Sequence, residues 1–354
     1  MKYIALKAAA LLMAIATLTG CVNEDYDLKS LDSSMTILSG LKIHVNHSEG
    51  DKPIIKNSSY LSQNQSITEL PNSNLAISCG QDAPKRTMSS YSGGGQILFD
   101  TPLLIGTASW LNDILPGAIL SVPLVPVIEV TNPSGIEMKL YGTAKCGDLI
   151  VDFGPYPVLG GTTCVKLDTD RIVKFFMPVN NDVEISNLRL VWDDRAESPA
   201  EEDEFSIRAY APLAFNPGDK ITLEYPCSQE FLSKIDLQEK AEKHHISVES
   251  LSVEVDMTNS FPLDLNIYAS GELDNGPASA SIYPTVAAGS VENPVTTTIT
   301  VKASLAKGAH AINSATVCVE GKVPGSSPVY ITSDQNLNYS VVNITLDSGI
   351  TLGL

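Results

Sequence analysis

The chain has 354 residues, with 23 Lys and Arg against 41 Asp and Glu, a formal net charge of −18. Nucleic acid is excluded as a partner, because phosphate-backbone binding is driven by basic side chains displacing counterions and no basic stripe exists here. The acidic balance reads as a solubility device on an exposed protein, and the length suffices for more than one core without cross-links.

At the start, Lys2 and Lys7 frame an apolar run from Ala8 to Leu18, followed by Leu18-Thr19-Gly20-Cys21. A basic start, a short apolar core and small residues before the cut define a cleavable secretory signal over residues 1–20, too short and wrongly flanked for a stable membrane span. Its end resembles a bacterial lipobox. That resemblance implies cleavage before Cys21, acylation of the Cys21 thiol with diacylglycerol and a third chain on the new amino terminus. At about 0.8 kcal/mol per buried methylene, one acyl chain holds weakly and two or three hold essentially permanently. Loss of the two lysines carries the charge to −20.

Residues 21–34 are polar, with Glu24, Asp25 and Asp27 close together. Their composition suits a solvated tether between membrane and fold. Acidic residues directly after the lipidated cysteine also resemble the sorting signal of Bacteroidota lipoproteins that reach the outer face of the outer membrane. The stretch DYDLKSLDSSMTI from Asp25 to Ile37 resembles the start of a broad set of lipoproteins of those bacteria. The resemblance implies an outer-membrane, surface-exposed location and no activity.

Beyond Cys21 there are five cysteines, Cys79, Cys146, Cys164, Cys227 and Cys318. An odd number leaves at least one free or paired between molecules. Their spacing fits no zinc pattern. Cys146 and Cys164 can bridge neighbouring strands, and equally a reduced cysteine can serve as a small buried hydrophobe.

An internal repeat sets the expected architecture. TNPSGIEMKLY from Thr131 matches TNSFPLDLNIY from Thr258, placing Asn132 on Asn259 and Tyr141 on Tyr268, 127 residues apart. The same offset puts Pro157 on Pro284 and ISNLRLVW from Ile185 on INSATVCV from Ile312. In the first copy Ile136, Met138 and Leu140 alternate with Glu137 and Lys139. In the second, Leu263, Leu265 and Ile267 alternate with Asp264 and Asn266, the period of a strand with one wet face. The TNP and TNSFP segments before them bend the chain between two strands.

Further strands are expected over Val183–Val191, Ile221–Tyr225, Thr297–Ala303, Ala315–Val319 and Val341–Leu346, with Asp274-Asn275-Gly276 suited to a tight hairpin. Helix signals are sparse: Ala108 to Leu115, ended by Pro116-Gly117, and the polar Asp236 to His245. The expected fold is all-β, tandem immunoglobulin-like β-sandwiches with a smaller N-terminal β region. Repeat 1 covers 119–228, a linker 229–245, and repeat 2 covers 246–354. Residues 35–118 read as the smaller β unit, its strands pairing with one another or with the first repeat.

No constellation carries a recognisable chemistry. His44 and His47 are three apart, on opposite faces of a strand, which is poor metal geometry. His244 and His245 suit a helix C-terminus. No G-x-S-x-G occurs, and Cys146-Gly147 lacks a thiol-protease context. The acidic run from Asp193 to Glu204 lacks the ligand order and central Gly of a calcium loop and reads as a solvated loop. No pair among the many acids stands out as a glycosidase couple. Trp110 and Trp192 both read as core residues rather than a sugar platform. No cofactor or metal is expected. The expectation is a non-enzymatic, lipid-anchored surface protein serving binding, adhesion or assembly. A glycan-binding component of a nutrient-uptake system comes next, then a carboxylate-dependent glycoside hydrolase.

Overall fold

The computed structural model describes residues 35–37, 41–44, 52–56, 67–78, 84–87, 95–193, 198–226, 246–247, 250–273, 276–304, 312–347 and 350–352. The leader, Cys21, the tether, the segment 236–245, Cys79, Cys227, His47, His244, His245 and His310 lie outside them. The strands in chain order are β1 (Met35–Ile37), β2 (Leu41–His44), β3 (Lys52–Lys56), β4 (Ile67–Glu69), β5 (Leu75–Ser78), β6 (Lys85–Thr87), β7 (Gln96–Phe99), β8 (Leu103–Ile105), β9 (Ile119–Ser121), β10 (Val127–Asn132), β11 (Met138–Cys146), β12 (Leu149–Val158) and β13 (Gly161–Lys166). They continue with β14 (Val183–Val191), β15 (Glu204–Pro212), β16 (Ala214–Phe215), β17 (Lys220–Pro226), β18 (Ile246–Ser247), β19 (Ser250–Asn259), β20 (Asp264–Leu273), β21 (Gly276–Tyr283), β22 (Val295–Ser304), β23 (Ile312–Lys322), β24 (Val329–Tyr330), β25 (Asn336–Leu346) and β26 (Ile350–Leu352). Helix α1 spans Thr107–Ile114 and α2 spans Asp170–Val173. The fold is all-β, built on antiparallel sheets.

The chain divides into two compact units. The unit around the first copy, Asn57–Ile221 with Gly325–Asp334, is a two-sheet sandwich. One sheet runs β13-β10-β15-β5-β4, the other β12-β11-β14-β7, with β8 also on β14. Alternation builds its core: Met138, Leu140 and Ala144 of β11, Val183, Ile185, Leu188 and Leu190 of β14, Ile128 and Val130 of β10, and Phe205, Ile207 and Ala209 of β15 are buried. Burying one such aliphatic or aromatic side chain contributes about 1.5–3 kcal/mol. Lys139 and Lys145, on the opposite phase of β11, are exposed. Helix α1 is pinned at its first turn, where Asp182 accepts from the Ser109 N–H at 2.9 Å and the Ser109 hydroxyl at 2.6 Å.

The second-copy unit contains the strands up to Lys56, Thr222–Pro324 and the residues from Gln335 onward. Its central strands repeat the first unit's connectivity: β19 lies between β22 and β25 as β10 lies between β13 and β15, and β20 lies between β21 and β23 as β11 lies between β12 and β14. Here β21 also pairs with β22, Ile282 facing Val301, which joins the two halves into one continuous sheet. Leu273 faces Gly276 at the expected hairpin, whose Asp274 and Asn275 lie outside the described residues.

Several expectations differ from this arrangement. The N-terminal stretch 35–118 is shared out: β5 and β6 pair with β15 and β7 and β8 with β14, whereas β1 pairs with β26 and β2 and β3 pair with β25. An unpaired sheet edge exposes backbone groups that an extended segment can satisfy, and β25 offers such an edge. The strand expected at Ile221–Tyr225 in the first copy is β17, which lies beside β23, and its residues from Thr222 belong to the second-copy unit. Conversely, Gly325–Asp334, inside the expected second repeat, belongs to the first unit, where Tyr330 faces Ala214 and Leu75 donates to the Ile331 carbonyl at 2.8 Å. The third block of the repeat is also out of step. Leu140 faces Leu190, but its equivalent Ile267 faces Val319 rather than Val317, because the chain reaches β23 two residues later.

Candidate functional site

The outward face of the β12-β11-β14-β7 sheet carries a groove of about 740 Å³, lined by Tyr141, Thr143, Asp152, Glu184, Asn187 and Arg189 among others. Register places these side chains in rows. Leu98, Arg189 and Tyr141 form one row across β7, β14 and β11, Ser186, Thr143 and Asp152 the next, and Leu104, Glu184, Lys145 and Ile150 a third.

Two bulges shape the floor. The central strand β11 gains no residue at either, but β14 gains one at Asn187, between the partners of Tyr141 and Thr143, and β12 gains one at Gly154-Pro155, between the partners of Leu140 and Gly142. Bulges bend strands and re-aim side chains. Asn187 takes φ 51, a left-handed conformation that Asn tolerates better than most residues. Gly154, at φ 100, has no alternative: a Cβ there would collide with the Leu140 carbonyl and press on Tyr141 Cα. Beneath the groove, the absent side chain of Gly142 leaves the space that the buried Phe153 ring fills.

The polar groups on this face are organised and partly unclaimed. Thr143 donates its hydroxyl to Asp152 Oδ1 at 2.8 Å and accepts from Asn187 Nδ2 at 3.3 Å. Asp152 Oδ2 and Asn187 Oδ1 are left to face solvent among the described residues. The Arg189 guanidinium stands 5.1 Å from the centre of the Tyr141 ring, a cation–π contact that leaves its N–H donors available. Asp100, at the rim, is held by Arg86 at 3.1 Å.

A second cluster lies on the outer face of the other sheet of the same unit. Arg208 makes a bidentate pair with Glu129, both contacts at 2.8 Å, and stacks 5.4 Å from the centre of the Tyr210 ring. The exposed Cys164 thiol lies 3.9 Å from Glu129 Oε2 and from the Tyr210 hydroxyl. Arg208's own hydrogen bonds to Glu129 raise its pKa, and burial together with Cys164 pushes the Tyr210 phenol far up. These groups satisfy one another.

Sequence-singled residues are dispersed. Trp192 is buried at 7 % exposure, and Trp110 is half-buried on α1 with its indole N–H enclosed and unpartnered among the described residues. Neither tryptophan lines the groove. Cys146, Cys164 and Cys318 are free thiols, so Cys146 and Cys164 form no bridge; Cys146 donates weakly to the Phe175 and Asn181 carbonyls, both at 3.8 Å. In the acidic run, Glu204 pairs with Lys85 at 2.7 Å and Asp203 caps the Ala200 N–H at 2.9 Å. Among the described residues no three His, Cys, Asp or Glu side chains converge as metal ligands, and no helix is long and apolar enough to cross a membrane.

The groove residues carried no signal of their own. A comparison of the copies held part of it: Tyr141 has an aromatic equivalent in Tyr268, but the position of Arg189 is taken by Cys318 in the second copy, the residue that faces Tyr268.

An all-β protein of two units, each built on the same six-strand connectivity, is thus defined by fold, with an open polar groove on one of them. No family model matches the chain, and no curated protein matches it. Among solved structures it is similar to a protein of Parabacteroides distasonis ATCC 8503 described as secreted, with a TM-score of 0.46 and 10% identity over 90% of this chain and 100% of that one. An infectious bursal disease virus structure, Gx strain, aligns with a TM-score of 0.10 and 10% identity over 66% of this chain and 67% of that one. At these scores neither likeness bears on function.

Proposed function

We propose that this chain is a lipid-anchored protein of the outer membrane, exposed on the cell surface, acting without catalysis as a binding, adhesion or assembly module. The basic and apolar leader ending at Cys21 and the acidic residues behind it support the anchor and its exposed side. The observation that carries the binding role is the groove over β11. It joins an aromatic ring, a guanidinium and the Thr143, Asp152 and Asn187 array, with polar atoms that no described residue takes. Convergent polar groups in a concavity are the ordinary mark of a ligand site.

The test is to probe an array of glycans and host-matrix proteins with cells displaying the wild-type chain or the Asp152→Ala/Arg189→Ala double variant. Retention by wild-type cells that the double variant loses supports the binding role. Equal retention removes the groove from it. Release of cleaved sugar from the array would replace the non-enzymatic reading with carboxylate-dependent hydrolysis, for which Asp100, Asp152 and Glu184 share the groove.

A further inference from the structure

Resting on the reading of the groove as a binding site, we infer that its ligand is an uncharged saccharide chain, with a sugar ring set against Tyr141 and hydroxyls along the chain taken by Arg189 on one side of β11 and by Asp152 on the other. The lining offers donors and acceptors on either side of β11. Arg189 presents N–H donors that no described residue takes, and Asp152 Oδ2 and Asn187 Oδ1 present acceptors one row further along β11. Rows on one face of a strand are about 7 Å apart, comparable with the breadth of one sugar ring. Hydroxyls at successive positions of a saccharide, each both donor and acceptor, match a guanidinium on β14 and a carboxylate on β12 set on either side of Tyr141 and Thr143, and the apolar face of a sugar matches the exposed part of an aromatic ring.

Charge argues against an anionic ligand. Asp100, Asp152 and Glu184 line the groove, and the whole chain carries −18, so a phosphate, sulfate or uronate polymer meets repulsion. A peptide bound by strand addition needs a sheet edge. The groove instead runs over the middle of a sheet, where the backbone groups of β11 are committed to β12 and β14 on both sides.

The duplication supplies an internal contrast. In the second copy Tyr268 keeps the ring, at 44 % exposure, but Cys318 replaces Arg189, Ser279 stands at the position of Asp152, and the strand pairing runs without a bulge from Asp264 to Glu272. The tyrosine is therefore present in both copies, whereas the arginine, the aspartate and the bulges beside it belong to the first copy among the described residues.

The full chain in detergent micelles is titrated with a panel of neutral oligosaccharides (glucans, mannans and xylans), and with sulfated glycans and collagen in parallel. Binding of a neutral oligosaccharide that falls about tenfold in Asp152→Ala and in Arg189→Ala, the loss of one charge-assisted hydrogen bond each, and that is unchanged in Tyr268→Ala, supports the inference. Tyr141→Ala should fall at least as far, and Tyr141→Phe should retain most of the affinity. Asp152 and Arg189 are exposed, so their variants remain folded. Collagen or sulfated-glycan binding that these variants abolish, with no neutral oligosaccharide bound, keeps the groove and overturns the saccharide. Saccharide binding indifferent to all three groove substitutions overturns the groove itself. Absence of binding to every probe overturns the inference.

Discussion

Asn132 and Asn259 are both completely buried and close the same bend in the two copies. Each donates through Nδ2 to the carbonyl four residues on, Ile136 at 2.7 Å and Leu263 at 3.1 Å. Each accepts through Oδ1 from the N–H two residues on, Ser134 at 3.2 Å and Phe261 at 2.9 Å. One amide thus satisfies the backbone of a corner where the chain leaves one strand, β10 or β19, for the next, β11 or β20. Asn259 also reaches the Ala287 carbonyl at 2.9 Å.

Replacing either amide orphans buried backbone groups, at about 1–3 kcal/mol for each unsatisfied group. Asn132→Ala and Asn259→Ala should both lower the urea midpoint, Asn259→Ala the more. Asn132→Asp should cost more than Asn132→Ala, because a buried carboxylate would face the Ile136 carbonyl that the amide now donates to. A melt of either alanine variant matching wild type would refute the shared role.

The alternation of β11 and β20 gives a second test. Met138→Asp buries an unpaired carboxylate at a completely enclosed position and should cost several kcal/mol, comparable with the stability of a whole domain. Leu265 is half-buried, so Leu265→Asp should be milder but still clearly destabilising. Lys139→Asp and Asn266→Asp alter exposed positions, and Asn266→Asp keeps the acceptor that Thr285 uses at 2.7 Å. Both should shift thermal midpoints little. Tolerated inward substitutions together with damaging outward ones would mean that the faces are exchanged.

Thiol chemistry should separate the cysteines. Burial pushes the Cys146 thiol above its ordinary 9.0, Asp182 adding to it, and burial also raises Cys318. In native protein, an alkylating reagent should modify the exposed Cys164 well before either, and the other two only after urea is added. Mass spectrometry of labelled peptides reads the order, and early labelling of Cys146 would contradict its burial.

The same shift makes stability depend on pH. As pH rises past 9.0 the unfolded chain loses the Cys146 proton first, while the folded state retains it. The stabilisation is therefore complete below that pH and declines up to the higher folded value. Cys146→Ala should flatten the fall in urea midpoint between about pH 7 and 10, leaving the slope contributed by Cys318. An unaltered slope would show that Cys146 is not the titrating group.

For the anchor, Cys21→Ser should abolish acylation and signal cleavage at that site and free the protein from stable outer-membrane association. Metabolic labelling with a fatty-acid analogue reads this directly. Persistent label on the variant would rule out Cys21 as the lipidated residue.

What the sequence determined by itself was local and repeated. The alternation in Met138–Leu140 and Leu263–Ile267, the helix over α1, and the equivalence of Asn132 with Asn259 all depend on neighbours close along the chain, where side-chain period and turn chemistry act. The reading of a lipid anchor likewise rests on residues 1–34 alone. Tertiary structure decided the rest. An extended segment satisfies its hydrogen bonds at whichever sheet edge is open, so nothing local could assign β1, β2 and β3 to the second copy or Gly325–Asp334 to the first unit. A bulge exists only relative to a partner strand. The groove that Asn187 and Gly154 create beside Tyr141 therefore became visible only once β12, β11 and β14 were set in register.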